Sequence, residues 1–285
     1  MKPTVAVIAP GNMGAAVGAR LVQQGLEVLT SLAGRSAESA ERAAAAGMKP
    51  VADAEVAQAD FVLSIVPPGQ ALPLAERLAP LLDAGNHKPL YVECNAVSPA
   101  TVRRIADVVA ATGCPFADAG IIGPPPKPGD AGPRFYVSGP QARQVEALGP
   151  YGLVVRAMDG ELGDASALKM SYGGLTKGLT ALGSALVLGA DRAGVSDALH
   201  AELAASQPAL LAYLTRSVPA MFSKAYRWVA EMEEIASFLD EPAERDMYEG
   251  TAALYERLAA DFDASKTEID TLAAFFAQSR ATKSN

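Results

Sequence analysis

Residues 4–14 read Thr4-Val5-Ala6-Val7-Ile8-Ala9-Pro10-Gly11-Asn12-Met13-Gly14, and they indicate the fold of the amino-terminal half. A short apolar run leads through a glycine turn into an apolar helical face over residues 12–24, as in a buried strand followed by a helix. Gly11 would let a pyrophosphate approach the backbone, and Gly14 would let the helix pack closely on the strand. The helix N-terminus would supply free N–H groups to the phosphates. The stretch therefore predicts a dinucleotide-binding turn.

This turn departs from the usual glycine fingerprint at its first position, where Ala9 stands in place of glycine. The motif is therefore incomplete, and the alternative is a strand–turn–helix with two structural glycines. Its place at the start of a chain of alternating strands and helices favours cofactor binding. The predicted cofactor contacts of the turn are Ala9, Gly11, Asn12, Met13 and Gly14.

Strands and helices alternate through the first half of the chain. The predicted strands are residues 4–9, 26–32, 60–66, 90–94, 117–122, 134–138 and 153–157. The predicted helices are residues 12–24, 36–46, 71–82 and 98–111. In the last of these, Ser98 is the expected N-cap and Pro99 the first helical residue. Continuously apolar strands separated by helices indicate a parallel sheet covered on both faces.

Strand patterns nearly vanish after residue 163. The predicted helices there are residues 165–193, 197–206, 208–222, 224–239, 243–260 and 266–278. The composition changes near Glu161. We therefore predict two domains: a Rossmann-type doubly wound α/β domain over residues 1–160, and an all-helical substrate and dimerisation domain over residues 161–285. The long helix that follows Gly163 is expected to join them.

The end of the second predicted strand bears on the choice of cofactor. It reads Leu32-Ala33-Gly34-Arg35-Ser36, without the acid that usually holds the ribose 2′-hydroxyl of NAD. Arg35 can bind a 2′-phosphate and Ser36 can donate a hydrogen bond to it, which favours NADP. The alternative is that Ser36 is a simple N-cap and Arg35 a solvated surface charge.

Composition excludes several classes of function. The 285 residues carry 24 Lys and Arg against 32 Asp and Glu, a net charge of −8, which argues against nucleic acid or an anionic membrane as a partner. Two cysteines cannot form a disulfide framework, and two distant histidines, expected on the surface or in loops, argue against a metal site. The amino terminus lacks a signal-peptide pattern and no apolar stretch is long enough to span a bilayer, so we expect a cytoplasmic protein.

With these residues described, the chain resembles the β-hydroxyacid dehydrogenase superfamily, which includes 3-hydroxyisobutyrate and 6-phosphogluconate dehydrogenases. The residues that carry the resemblance are Gly11-Asn12-Met13-Gly14, Ser64-Ile65-Val66-Pro67-Pro68, Glu93-Cys94-Asn95-Ala96-Val97-Ser98-Pro99, Asp118-Ala119-Gly120-Ile121-Ile122-Gly123 and Gly163-Asp164-Ala165-Ser166-Ala167-Leu168-Lys169. The resemblance implies that Val66, Pro67, Pro68 and Asn95 flank the cofactor and that Ile121, Ile122 and Gly123 bind the substrate. The helices after Gly194 resemble an uncharacterised branch of the 6-phosphogluconate-dehydrogenase-like domain.

The resemblance also places Lys169 on the helix that carries the catalytic lysine of the family. Burial beside a nicotinamide would lower its pKa into the range of a general acid/base. Tyr172, Gly173 and Thr176 lie on the same helical face: Tyr172 is a second catalytic candidate, and Gly173 and Thr176 are candidates for substrate contact. Alternatively Tyr172 is a core residue and Lys169 an exposed one. Lys177 is a lower-ranked catalytic candidate.

Three departures from the family pattern concern the substrate. Ile122 replaces a serine that holds a carboxylate, Pro124 replaces a glycine, and Tyr172 and Gly173 replace two asparagines. We therefore expect a larger or less charged substrate than a small hydroxy acid. Lys127 and Arg134, in and beside the Pro-rich loop 124–129, are possible anion contacts. The acidic run 231–234 is expected to be solvated or paired along its own helix.

The sequence thus predicts an NADP-dependent oxidoreductase that transfers a hydride between NADP(H) and a hydroxy or oxo compound. One alternative is an NADPH-dependent imine reductase, in which the lysine is usually absent. Another is a non-catalytic NADP-binding sensor. The apolar helical second domain favours a homodimer.

Overall fold

The computed structural model describes residues 2–281. Residue 1 of the first predicted domain and residues 282–285 of the second lie outside the described range. The chain divides into two compact units, Met1–Met170 and Ser171–Asn285. The division falls inside the long helix α6 (Asp164–Arg192). Each unit is described separately below.

The first unit is built on an eight-stranded sheet. Its strands are β1 (Val5–Ile8), β2 (Val28–Ser31), β3 (Lys49–Val51), β4 (Phe61–Ser64), β5 (Leu90–Glu93), β6 (Phe116–Ile122), β7 (Arg134–Ser138) and β8 (Val154–Ala157). The strand order is β3-β2-β1-β4-β5-β6-β7-β8, and only the β6–β7 pair is antiparallel. The chain adds β2 and β3 on one side of β1 and then β4 and β5 on the other, which is the order of a doubly wound sheet. This order confirms the predicted Rossmann-type α/β class.

Helices cover both faces of this sheet. They are α1 (Asn12–Gln23), α2 (Ala37–Ala45), α3 (Asp53–Val56), α4 (Ala71–Ala84) and α5 (Pro99–Ala110), with 3₁₀-helices at Pro68–Gln70 and Ala142–Tyr151. The two faces of β1 explain the layers: Val5 and Val7 join one hydrophobic core, whereas Ala6 and Ile8 join the other. A strand buried on both sides has no polar face, so its sequence is continuously apolar.

The second unit consists of helices. After α6 they are α7 (Ser196–Ser206), α8 (Pro208–Met221), α9 (Ala225–Leu239), α10 (Pro242–Asp263) and α11 (Thr267–Ala281), with a 3₁₀-helix at Phe222–Lys224. Leu214, Met232, Tyr255 and Phe276 are buried in its core. Within the described part of the chain, no helix is long and apolar enough to cross a membrane.

Most predicted elements form within a few residues of their expected ends. The elements that were not predicted are β3, α3 and the 3₁₀-helices at Pro68–Gln70 and Ala142–Tyr151. Lys49-Pro50-Val51 forms the edge strand β3, and α3 follows it. Two exposed residues, of which one is a proline, and a half-buried valine are too few to give an alternating pattern. The proline is tolerated because only one side of an edge strand is paired. His200 lies inside α7, half-buried, with its ring centroid 5.3 Å from that of Phe275.

Candidate cofactor and catalytic site

The turn between β1 and α1 has the close packing that the sequence predicted for its glycines. A Cβ atom built on Gly14 would lie 2.3 Å from the carbonyl oxygen of Ala9, so no larger residue fits there without moving the backbone. Gly11 is the N-cap of α1, its N–H donates to the Ala9 carbonyl at 2.8 Å, and a Cβ there would meet no atom within 4 Å. The turn is therefore closed against the sheet and open beyond Gly11, where a phosphate would approach.

Ala9 has the backbone conformation that the missing glycine would supply. Its φ is +67°, in the left-handed region that glycine favours, and its side chain is buried. Asn12 is the exposed first residue of α1, whereas Met13 is half-buried and packs on the sheet. The incomplete fingerprint thus keeps the geometry of the turn, since an alanine occupies the conformation normally left to glycine.

The corner between β2 and α2 carries the predicted 2′-phosphate residues. The Arg35 N–H donates to the Leu32 carbonyl at 3.0 Å across a tight turn in which Gly34 has φ +69°. The Ser36 hydroxyl caps α2 by accepting from the Ser39 N–H at 3.3 Å. Desolvation and the nearby charge of Arg77 lower the pKa of Arg35. Within residues 2–281 no acid forms an ion pair with Arg35. A cation beside another cation would be stabilised by a bound anion.

Arg42 links this corner to the glycine turn and was not predicted from the sequence. Its Nε donates to the Pro10 carbonyl at 2.9 Å, and its Nη2 donates to the Ser39 hydroxyl at 3.1 Å. The guanidinium also pairs with Glu38, one turn earlier on α2. A Glu and an Arg four residues apart look like an ordinary surface pair, so the contact with Pro10 left no signal in the sequence.

Four buried polar side chains form a row across the sheet. Strand register pairs Ser64 of β4 with Glu93 of β5, Glu93 with Asp118 of β6, and Asp118 with Ser138 of β7. All four are fully buried. Because the carboxyl ends of the parallel strands meet at one edge, the row lies where a doubly wound sheet binds its ligand.

One end of this row fixes the segments that the resemblance assigned to the cofactor. Asn95 accepts a hydrogen bond from the Val66 N–H at 2.6 Å and donates to the Ser64 hydroxyl at 2.8 Å. Its own N–H donates to Glu93 at 2.9 Å. Pro67 is exposed and Pro68 begins the following 3₁₀-helix. The structure therefore brings Val66 and Asn95 into contact just beyond the carboxyl ends of β4 and β5.

Glu93, which sequence reasoning did not single out, is a buried acid. Burial raises its pKa to about 8, opposed by its hydrogen bonds with Asn95 and Ser64 and assisted by the charge of Asp118. Its second carboxyl oxygen and the Tyr91 hydroxyl have no partner among the described residues. The pKa of Glu93 therefore lies close to neutral pH. Burial raises the pKa of Asp118 as well, although the hydrogen bonds from Ser166 and Ser138 oppose that shift.

The other end of the row anchors α6. Asp118 accepts hydrogen bonds from the backbone N–H and the hydroxyl of Ser166 at 2.9 and 2.7 Å, and from the Ser138 hydroxyl at 3.1 Å. Ser138 in turn accepts from the Ala165 N–H at 2.9 Å. These bonds satisfy N–H groups at the start of the helix, where a negative charge also complements the helix dipole. Asp118 thereby fixes the position of α6 on β6.

Close packing then brings Lys169 to the end of β6. A Cβ atom on Gly120 would lie 2.7 Å from the Ala165 carbonyl and 3.1 Å from the Lys169 Cβ, so the glycine lets the helix approach the strand. The Lys169 Nζ donates to the Ile121 carbonyl at 2.6 Å. Desolvation lowers the pKa of Lys169 from 10.5 to about 8. This amine is therefore able to hold or release a proton near neutral pH.

Two known family models match this chain, one in each half. The family model described as the NAD binding domain of 6-phosphogluconate dehydrogenase matches residues 4–151, more than half of the chain. The chain belongs to the β-hydroxyacid dehydrogenase-like family. Membership supports an NAD(P)-binding domain in the first unit and an oxidoreductase function for the chain. A second family model, a domain of unknown function, matches residues 190–258 of this dehydrogenase-like protein.

Individual relatives agree with this assignment. An uncharacterised 28.5 kDa protein from Methanothermus fervidus is 30% identical over 176 residues, which span 61% of this chain and 66%, just under two thirds, of that protein. A solved protein of unknown function, described as structurally similar to 3-hydroxyacid dehydrogenases, is 28% identical with a TM-score of 0.69, covering 94% of this chain and 99% of its own.

Two more distant structures share the fold. Mycobacterium tuberculosis 3-hydroxyisobutyrate dehydrogenase with L-serine is 21% identical with a TM-score of 0.70, over 95% of this chain and 99% of its own. A Myxococcus stipitatus imine reductase in complex with NADP⁺ is 20% identical with a TM-score of 0.55, over 96% and 99%. The fold alone therefore does not separate carbonyl from imine chemistry.

The segment of this dehydrogenase-like chain that was assigned to the substrate is mostly apolar. The side chains of Ile121 and Ile122 are buried, and Gly123 has φ +129° at the exposed end of β6. Lys127 and Arg134 are exposed. The loop that carries Lys127 is tied down by Arg20, which the sequence analysis missed: its guanidinium donates to the Lys127 carbonyl at 2.8 Å and to Asp130 at 3.0 Å.

The remaining predicted site residues belong to the second unit. Tyr172 is half-exposed, Gly173 lies against Ile235, and the Thr176 hydroxyl donates to the Tyr172 carbonyl at 2.9 Å. Lys177 forms an ion pair with Glu231, and its Nζ lies 5.3 Å from the centroid of the Trp228 ring. The expectation that the acidic run is solvated or paired along its own helix was therefore wrong for Glu231, which binds a lysine on α6.

Proposed function

We propose that this chain is an NADP-dependent oxidoreductase that acts on a CH–OH group or the matching carbonyl, with Lys169 as the general acid/base. The observation that carries the proposal is the environment of Lys169. Its amine is bonded to the Ile121 carbonyl at 2.6 Å, and its pKa is lowered to about 8. An acid/base is most effective when its pKa lies near the working pH.

The residues around the glycine turn fit the cofactor. The N-terminus of α1 beyond Gly11 would hold the pyrophosphate, Arg35 and Ser36 the 2′-phosphate, and Val66 and Asn95 would flank the nicotinamide ribose. Pro67 and Pro68, which follow Val66 in the chain, would also flank the cofactor. When bound, the nicotinamide supplies or accepts the hydride, and positioning and proton transfer fall to the protein.

Lys169 would move the single proton that this reaction needs. In reduction, its ammonium form donates a proton to the carbonyl oxygen as that oxygen gains negative charge. In oxidation, its neutral form accepts the proton of the hydroxyl group. The Ile121 carbonyl orients the amine for both reactions, because it accepts a hydrogen bond from one N–H group. The other positions on the nitrogen remain available to the substrate.

We expect NADPH to bind at least about tenfold more tightly than NADH, a difference of about 1.4 kcal/mol that one charge-assisted contact can supply. Fluorescence titration of both cofactors measures the ratio. Arg35→Ala should remove the preference, while Arg143→Ala, which changes an exposed arginine elsewhere in the same unit, should keep it. Equal affinities in the unmodified protein, or an unchanged ratio in Arg35→Ala, would show that Arg35 does not read the 2′-phosphate.

We also expect weak or no activity on 3-hydroxyisobutyrate, glycerate and 6-phosphogluconate. A buried carboxylate needs donors, and the buried Ile122 offers no side-chain donor while Pro124 has no N–H. Larger or less charged carbonyls and alcohols should be turned over instead. A panel with NADP(H) should therefore include small acids, aromatic and long-chain carbonyls, and cyclic imines.

This panel also separates the other candidate functions. A kcat/KM above about 10⁴ M⁻¹s⁻¹ on a small hydroxy acid would contradict the substrate class. Turnover of imines alone would favour an imine reductase, for which the half-exposed Tyr172 is the candidate proton donor. Tight NADPH binding without turnover of any member would favour a sensor. We further propose that the second domain, over residues 161–285, serves substrate binding and homodimer formation.

A further inference from the structure

Glu93 ends the strand β5 with an acid, whereas the rest of that strand is hydrophobic. Leu90 and Val92 belong to the core on one face of the sheet, and Tyr91 belongs to the core on the other. Glu93 itself is fully buried, so a ligand cannot reach its carboxyl group. Burying an acid costs free energy, and its oxygens need partners inside the protein. Any role of Glu93 in the reaction is therefore exerted through the groups that it contacts.

The contact that Glu93 makes is with the backbone of the segment that follows β5. Its Oε1 atom accepts a buried hydrogen bond from the Asn95 N–H at 2.9 Å. A side chain that bonds the backbone two residues further on holds a tight turn, and this one lies at the carboxyl end of the strand. Without the Glu93 oxygen, the Asn95 N–H would lose its acceptor, and a buried donor without an acceptor is more costly than the bond is stabilising.

Asn95 connects this turn to the end of the neighbouring strand β4. Its side-chain oxygen accepts a hydrogen bond from the Val66 N–H at 2.6 Å, and its side-chain amide donates to the Ser64 hydroxyl at 2.8 Å. Both bonds are buried, and they join two segments of the chain that are 29 residues apart. One side chain therefore sets the separation of the two segments, and the backbone that carries it is held by Glu93.

The neighbouring acid Asp118 is held differently. It is the register partner of Glu93 on β6, and it accepts two hydrogen bonds from Ser166 and one from Ser138. The second carboxyl oxygen of Glu93 has no hydrogen-bond partner among the described residues, and burial raises the pKa of Glu93 to about 8. The bond from Asn95 needs only an acceptor oxygen at the right reach. A neutral amide of the same length would supply that oxygen.

We infer that Glu93 is a positioning residue for the nicotinamide half of the cofactor, and that it acts through Asn95 on the backbone of Val66. The inference rests on the proposed function, in which Val66 and Asn95 flank the nicotinamide ribose. In that proposal Arg35 and Ser36 hold the 2′-phosphate of the other half. Loss of the bond between Glu93 and Asn95 should therefore weaken binding of the whole dinucleotide and leave binding of its adenosine half unchanged.

Two probes separate these halves. NADPH spans the whole site, whereas adenosine 2′,5′-bisphosphate carries only the adenosine half with its 2′-phosphate. Glu93→Met removes the acceptor at a similar side-chain length, so the dissociation constant of NADPH should rise at least about tenfold. That of adenosine 2′,5′-bisphosphate should stay within about twofold. Isothermal titration calorimetry measures both constants.

Three further variants make the comparison specific. Glu93→Gln keeps an oxygen at the same reach without the charge, and it should bind NADPH within about threefold of the unmodified protein. Glu93→Asp keeps the charge but withdraws the oxygen by one methylene group, so its affinity for NADPH should fall as in Glu93→Met. Glu93→Asp also serves if Glu93→Met does not fold. The matched control is Glu146→Met, at an exposed glutamate of the 3₁₀-helix Ala142–Tyr151, which should change neither constant.

A double-variant cycle tests whether Glu93 acts through Asn95. Asn95→Leu should itself weaken NADPH binding, because it removes the acceptor of the Val66 N–H. If the two residues belong to one chain of hydrogen bonds, Glu93→Met/Asn95→Leu should bind NADPH no more than about threefold more weakly than Asn95→Leu alone.

Several results would overturn the inference. Unchanged NADPH affinity in Glu93→Met and Glu93→Asp would show that Glu93 positions nothing, and equal losses for both probes would assign it a general structural role. Additive effects in the double variant would show that Glu93 does not act through Asn95. Failure of the proposed function has a different signature, since the unmodified protein would then bind neither probe.

Discussion

Replacement of Lys169 by methionine should lower kcat by roughly 10²–10⁴-fold, the usual contribution of a positioned acid/base, and leave NADPH affinity within about threefold. Methionine keeps the length and apolar contacts of the side chain but carries no proton. Steady-state kinetics on the best substrate of the panel and fluorescence titration measure the two quantities. Lys49→Met, at an exposed lysine of the same unit that pairs with Glu27, is the control and should change neither by more than about twofold.

The pH dependence gives a second readout of the same group. Since the pKa of Lys169 is lowered to about 8, kcat/KM for reduction should fall as pH rises through about 8, where the ammonium form is lost. For oxidation the sign reverses, and kcat/KM should rise over the same range. Lys169→Met should lack both changes. Turnover near that of the unmodified protein, with the pH dependence intact, would assign the lysine a structural role only.

The sequence predicted the parts of this site that are local in the chain. Periodicity and turn residues predicted the strand, turn and first helix at residues 4–24. The family resemblance predicted the position of Lys169 on a long helix. The left-handed conformation of Ala9 was not predicted, because an alanine rarely adopts it. Close packing at Gly14 was predicted, and the structure identifies the Ala9 carbonyl as the group that it meets.

Contacts between distant segments were out of reach of the sequence. The polar row joins Ser64, Glu93, Asp118 and Ser138 through strand register, and a shift of one residue in any strand would turn its side chain to the other face. The bond from Lys169 to the Ile121 carbonyl depends on the close approach at Gly120. A glycine in a strand indicates such an approach but does not identify the helix that makes it.

Lys177 shows why helical spacing alone is a weak guide to chemistry. It lies two turns after Lys169 on the same helix, which made it a lower-ranked catalytic candidate, but its amine pairs with Glu231. The two side chains are only 15% and 19% exposed. An ammonium group that is paired with a carboxylate is held by that pair and is less available to a substrate. Its arrangement therefore favours a role in stability over a role in catalysis.

Lys177→Met should accordingly destabilise the second unit by about 3–5 kcal/mol, because it leaves Glu231 as an uncompensated charge in a poorly solvated site. Glu231→Leu should have a similar effect for the converse reason. The double variant Lys177→Met/Glu231→Leu should recover most of the loss, since replacing a buried pair by apolar side chains is often neutral.

Urea unfolding at fixed protein concentration measures these differences. Trp228, the single tryptophan of the chain, lies in the second unit and reports its unfolding by fluorescence. The matched control is Arg143→Met, which breaks the exposed pair with Asp159 and should cost less than about 1 kcal/mol. If Lys177→Met is no less stable than Arg143→Met, or if the double variant is as unstable as the worse single variant, the pair does not stabilise the unit in this way. If the double variant recovers most of the free energy of unfolding, each charge is tolerated in the helical unit because the other charge is present.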